Sequence, residues 1–312
     1  MQISVLDAPT NLGLRPPSPG VEPGVSKLAG ALRQTGLIKA LGAREAGEVV
    51  PPAYSPEPDF AVGFRNGTAQ ALYGAELAAR LGPLLDERGF VLVLGGDCGL
   101  LIGTGAALKA RGRYGLAYID AHDDFSFIRD TARYRGLFTL GGLSLGVATG
   151  RGPAVLADIG GLKPYFRQED VVHIGRSSEE HDSRDYAIED FERSQIVRLE
   201  RDDIAQRGAG VIGREARTLL ESDATAGFWI HLDADVLDRT LMPAVDSPNP
   251  RGLDFAQLED VLAALLASPG AVGMEVTIFD PDLDPGGKLA QRLAGTIERA
   301  FRRSGRFALA GD

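Results

Sequence analysis

Cysteine is nearly missing from this chain. Cys98 is the only one among 312 residues, which excludes an internal disulfide framework. Also missing is any block of lysine and arginine. With 33 basic against 43 acidic residues, a formal charge of -10 and a pI near 5.0, the chain lacks the basic stripe of a nucleic-acid binder. No uninterrupted apolar run approaches the roughly 20 residues that cross a bilayer. Residues 1 to 20 have neither a basic start nor an apolar core of signal-peptide length, so a cytoplasmic location is expected. A core is not what the chain lacks, since 44% of its residues are hydrophobic.

What is present is an alternation. The stretches 3 to 8, 90 to 96, 115 to 122, 171 to 177, 196 to 200, 227 to 235 and 271 to 279 are short and rich in Val, Ile, Leu and aromatics, and read as buried strands. Helical periodicity fills 69 to 89, 204 to 223, 254 to 268 and 287 to 303. Strand followed by helix, repeated, predicts an α/β fold with a mostly parallel central sheet between two helical layers, a three-layer α-β-α sandwich. The Pro- and Gly-rich stretches 9 to 24 and 51 to 58 read as loops, because the rhythm resumes after each; a longer irregular region covers about 124 to 165. With no internal repeat and no low-complexity tract, residues 1 to 312 read as a single domain.

The chemistry gathers where strands end. The run "YIDAHDDF" carries Asp120, His122 and Asp124 at alternate positions, and "HLDADVLD" carries His231, Asp233 and Asp235 in the same way. Residues two apart in an extended chain project to one side, so each run aims three polar groups at one place. Carboxylates from two strands meeting at the carboxyl edge of a parallel sheet repel unless cations lie between them, and ligands bind at that edge. An oxygen-rich site with one or two imidazoles suits Mn, Mg or Ca, with Mn favoured by the histidine. One D-x-D after a strand is as readily a turn carboxylate; two in one chain favour a two-metal site. Glu275, inside the apolar "VGMEVTIF", is either a salt-bridged core glutamate or a group awaiting a cation.

Taken in order and at these separations, "GGDC", "IDAHDD", "HLDADVLD" and "MEVTIFDPDLD" resemble the signature regions of the ureohydrolase superfamily of arginases, agmatinases and formimidoylglutamases. The resemblance covers about residues 90 to 285, and 20 to 37 is similar to the family's amino-terminal helix entry. It implies an arginase-like fold and a cytoplasmic homo-oligomer, trimer or hexamer. Asp120, His122, Asp124, Asp233 and Asp235 become ligands of a two-Mn2+ centre, with Asp124 and Asp233 shared or bridging. It further implies hydrolysis of a guanidino or amidine C–N bond, releasing urea or a related amide. A hydroxide bridging the ions attacks the substrate carbon, Asp124 orients it and receives a proton, and Glu275 pairs with the cationic nitrogens.

Two departures from the family pattern bear on that expectation. Cys98 stands where the family usually has the sixth ligand, a histidine. A thiolate is softer and favours Zn or Fe over Mn. Three fates are open to Cys98: a metal ligand, a bystander beside a one-metal or weak two-metal site, or a small packed apolar residue. The second departure is Gly141, aligned with the "HG" step that supplies a proton-carrying histidine in arginases; His231, two residues before Asp233, is the candidate replacement, with a supporting histidine as the alternative. The segment 239 to 253 lacks the family's Gly-Thr-Gly centre, so the site mouth differs. There, Asp246 reads as a surface aspartate or a partner for an amine tail, and Arg176 as a structural arginine or a carboxylate binder. The competing function class is a degenerate arginase-fold protein with a partial metal site and a binding or structural role.

Overall fold

The computed structural model describes residues 1–127, 138–177 and 188–310. Ten strands occur among them: β1 (Ile3–Asp7), β2 (Arg44–Glu48), β3 (Pro58–Asp59), β4 (Phe64–Arg65), β5 (Phe90–Leu94), β6 (Gly115–Ile119), β7 (Val171–Ile174), β8 (Val197–Leu199), β9 (Phe228–Asp233) and β10 (Ala271–Thr277). Eight of them form one sheet in the order β2-β1-β5-β10-β9-β6-β7-β8, and β3 pairs with β4 in a separate antiparallel ribbon. Every pairing in the large sheet is parallel. The alternation of strand and helix predicted this, because parallel neighbours need crossovers that leave helices on the two faces.

Each face carries its own core. Side chains such as Leu92, Ile119, Ile230 and Met274 meet the helices Leu28–Gln34, Ala209–Leu220, Phe255–Leu266 and Lys288–Ser304. Val91, Val93, Tyr118 and Trp229, one residue out of phase, meet Gly67–Asp86, Leu101–Lys109 and Ser144–Ala148. Among the described residues no helix is long and apolar enough to cross a membrane.

Several elements differ from the expected pattern, among them the short helices Ser144–Ala148 and Ala154–Ala157 inside the stretch expected to be irregular. The helix expected over 204 to 223 is two, Arg201–Arg207 and Ala209–Leu220, because Gly208 takes φ 89° and ψ 139°, outside helical space. Strand β2 was unforeseen: its sequence REAGE is charged and mostly exposed, as suits an edge strand that must not recruit another chain. Helix Leu101–Lys109 has no helical signature in the sequence, since eight of its nine residues are buried, leaving no polar face to set a period. Finally, β6 ends at Ile119 and β9 at Asp233, so strand alternation carries no further than those residues.

Candidate metal centre

Beyond the strand ends, the aspartates build their own turns. Asp120 Oδ1 accepts the backbone N–H of His122 at 2.6 Å, and Asp233 Oδ1 accepts that of Asp235 at 2.7 Å. At the end of β5, Asp97 accepts the N–H of Gly99 at 2.8 Å and that of Gly13 at 3.0 Å, which fixes the loop carrying Cys98. Asp-x-x turns of this kind explain how a chain leaving a strand can still aim alternate side chains inward. The extended-chain reading of positions 231, 233 and 235 therefore holds to Asp233 and is replaced by a short 3-10 turn at Ala234–Val236.

The strands β5, β10, β9 and β6 are neighbours at the centre of the sheet, and their exits bring two groups of ligand atoms together. One atom from each of Cys98, Asp120, His231 and Asp233 lies within 4.8 Å of the other three, and the same holds for Asp120, His122 and Asp235. Asp120 belongs to both. Cys98 Sγ–H donates to Asp233 Oδ2 at 2.8 Å and lies 3.2 Å from Thr277 Oγ1. His122 Nδ1 lies 3.1 Å from Asp235 Oδ2, and the His122 carbonyl is held by His173 Nε2–H at 2.7 Å.

Asp124 stands outside both groups. Its backbone takes φ 44°, a region non-glycine residues seldom occupy, and its Oδ2 accepts the Tyr118 hydroxyl at 2.9 Å with Ser144 Oγ at 3.5 Å. Tyr118, two residues before Asp120 on the same face, drew no attention in the sequence; so too Thr277, two after Glu275, and His173. Their signal was the same period of two, but neither tyrosine nor threonine is anomalous in a strand.

Behind the centre lies a polar row set by strand register. Glu275 pairs with His231, His231 with Tyr118, and Tyr118 with His173 as neighbours across β10, β9, β6 and β7. Glu275 and His231 are fully buried, with Oε1 2.6 Å from Nδ1. Tyr118 stacks on the His231 ring at 4.5 Å with only 4° between the planes. Glu275 is thus the salt-bridged or hydrogen-bonded core glutamate of the plainer reading at Oε1, while Oε2 is buried without a partner.

Electrostatics show what the site tolerates poorly. Burial pushes the carboxyls of Asp233 and Asp124 well above the usual range, and neighbouring carboxylates push them further. Burial also raises Asp235, and lifts the Cys98 thiol, aided by Asp233, Asp124 and Asp120. For Asp120 burial is outweighed by its contact with His122, which holds it low; His122 in turn is raised despite burial, by Asp235 and Asp120. Packed without cations, Asp124, Asp233 and Asp235 hold protons more tightly than they would in water. The donor set fits a divalent cation: Asp120 Oδ2, Asp235 Oδ1 and His231 Nε2 are buried with no hydrogen-bond partner, the arrangement expected of ligands.

Arg176 is paired with Glu200 at 2.9 Å. Asp246 is exposed on its loop as a whole residue, yet its carboxyl is pushed up to about 6 by desolvation and then by Asp235, Asp280 and Asp97, which leaves it beside the acidic centre. Gly141 packs its backbone against Gly13, donating its N–H to the Gly13 carbonyl at 2.9 Å, and a Cβ there would meet Leu14 at 2.8 Å.

Comparison with known proteins agrees with this fold. The model of the Arginase family matches residues 2–301. An arginase from Bacillus caldovelox is 29% identical over 301 residues, covering 92% of this chain and 94% of its own. A formimidoylglutamase from Chromobacterium violaceum is 34% identical over 109 residues, 34% of each chain. The solved structure of the Bacillus caldovelox arginase superposes with a TM-score of 0.83, covering 96% of this chain and 98% of that one at 25% identity.

Proposed function

This chain belongs to the arginase family, and we propose that it is a metal-dependent hydrolase of a guanidino or amidine C–N bond in a small cationic substrate. One observation carries the reading: two sets of ligand atoms share Asp120 at the strand exits, as a pair of adjacent cation positions requires. Divalent cations there supply Lewis-acid activation and bring the pKa of a water towards neutrality. Asp120, His122 and Asp235 would hold one ion, an O,N,O set that suits Mn2+. Cys98, Asp120 and Asp233 would hold the other.

The chain's remaining groups act on substrate and proton. Tyr118 holds Asp124 by Oδ2, leaving Oδ1 to receive the proton of the attacking water. Glu275 gives Oε1 to His231, so a substrate guanidinium would meet Oε2 alone, through one charge-assisted bond instead of a bidentate pair. A neutral amide would leave that oxygen with no charge to meet.

The packing of Gly141 against Gly13 and Leu14 favours a second reading, a family member that binds metal without turnover, because no side chain at 141 can deliver a proton to a leaving amine. A screen separates the two. Metal-loaded protein is incubated with agmatine, guanidinobutyrate, guanidinopropionate, arginine and formimino compounds, and urea and ammonia are measured. Turnover of at least one is expected. At saturating metal, Glu275→Gln should lower kcat/KM for it at least about tenfold, equivalent to about 1.4 kcal/mol of transition-state stabilisation. Metal-replete protein inert towards all of them would establish the second reading.

A further inference from the structure

We propose that His231 is a metal ligand, that Glu275 is its positioning residue, and that with Cys98 they make one cation position selective for a borderline-soft ion of the Zn2+ class. The inference rests on the two-cation reading above and refines one of its positions. Of the two ring nitrogens of His231, Nδ1 lies 2.6 Å from Glu275 Oε1, and Nε2 is buried without a partner. A carboxylate accepts, so Nδ1 carries the proton and Nε2 presents its lone pair. A ring nitrogen of His231 lies within 4.8 Å of donor atoms of Cys98, Asp120 and Asp233. A histidine that donates one N–H to a carboxylate, keeps its other nitrogen buried without a partner and lies among acidic and thiol donors has the form of a metal-bound imidazole with its orienting partner.

The ring has little freedom to do otherwise. Tyr118 stacks on one face of it, and its side chain has no exposed surface. A fully enclosed imidazole exchanges protons with solvent poorly, so ligation accounts for His231 better than proton delivery does. The donor set at this position is then one thiolate, one imidazole and two carboxylates. Sulfur and nitrogen donors favour Zn2+, Co2+ or Fe2+ over Mn2+, whereas the Asp120, His122 and Asp235 position keeps a harder set. To hold an ion there, Cys98 would give up its Sγ–H proton, and Asp233 any proton on its carboxyl, to solvent, which would free the sulfur lone pair and Asp233 Oδ2 as donors.

The test titrates metal-free protein with Co2+ and Zn2+, reading the sulfur-to-cobalt charge-transfer band and the dissociation constants. The parent should show the band at the first equivalent, and Cys98→Ser should abolish it. His231→Asn should weaken Zn2+ at that position at least about tenfold and Glu275→Gln by about 10–100-fold, with Mn2+ binding at the other position nearly unchanged. Cys98→His should shift preference from Zn2+ towards Mn2+. Absence of the band in the parent, or unaltered Zn2+ affinity in both His231→Asn and Glu275→Gln, would overturn the proposal. Should His231→Asn not fold, zinc-edge X-ray absorption of the parent at one equivalent decides: one sulfur with one imidazole supports it, oxygen donors alone refute it. Failure of every guanidino substrate would remove the hydrolase reading and leave these titrations intact.

Discussion

Asp233→Ala is expected to lose most bound divalent metal and all hydrolytic activity while remaining folded. Its Oδ2 accepts the Cys98 thiol and its Oδ1 accepts the Asp235 backbone N–H, so one carboxylate touches one presumed ligand and shapes the turn of another. Loss of a direct ligand should weaken metal by at least about a hundredfold, beyond what second-layer changes cost. The metal-free fold should not suffer in proportion, since a buried carboxyl held far above its ordinary pKa is neutral there and its loss leaves no buried charge unpaired. Asp233→Asn, which keeps the turn acceptor, separates the two effects. Emission spectrometry of bound metal and a thermal melt of each variant decide the matter. Full metal occupancy in the alanine variant would remove Asp233 from the centre.

Stability should depend on pH in opposite directions without and with metal. In the metal-free protein Asp124, Asp233 and Asp235 have raised folded pKa values, so the folded state holds more protons than the unfolded one across the range between them. Stability from this source is fully present below about pH 4, where unfolded aspartates also protonate, and is lost as pH rises through the folded values. Metal-free protein should therefore melt lower at pH 7.5 than at pH 5.5. Cations compete with those protons, and their stabilisation grows with pH. At a hundred times its dissociation constant an ion contributes about 2.7 kcal/mol, on the order of 5 °C for a chain this long. A metal-induced rise in Tm that is equal at both pH values would show that protons and cations do not share the site.

The parts of the molecule that could be read from sequence are those where a local pattern suffices. Buried strands announce themselves by apolar runs, and the two aspartate motifs by carboxylates at places a core would not accept them. The turn at Asp124 is illegible because alternation assumes an extended chain, whereas Asp124 has a left-handed backbone and turns its carboxylate to Tyr118 and to Ser144, twenty residues on. Glu275 and His231 each stand out in the sequence, but their pairing does not. It depends on β10 and β9 lying side by side in register, 44 residues apart in sequence, which no window on the chain reveals. Strand β2 was hidden for the opposite reason: an edge strand with a charged surface has no hydrophobic pattern to display.

The strand order carries a consequence for assembly. β10 is the last strand of the sheet to be synthesised, yet it lies between β5 and β9, the strands that bear Cys98 and Asp233. The thiol–carboxylate contact closes over 135 residues, and the Cys98–Thr277 contact over 179. Until the segment from Ala271 to Thr277 inserts as a keystone, the halves of the sheet have no common centre, and the loop-closure entropy falls on one late event. Metal uptake during refolding should lag behind helix formation, and a nascent chain emerging from the ribosome stays without its metal centre until its final strand slots home.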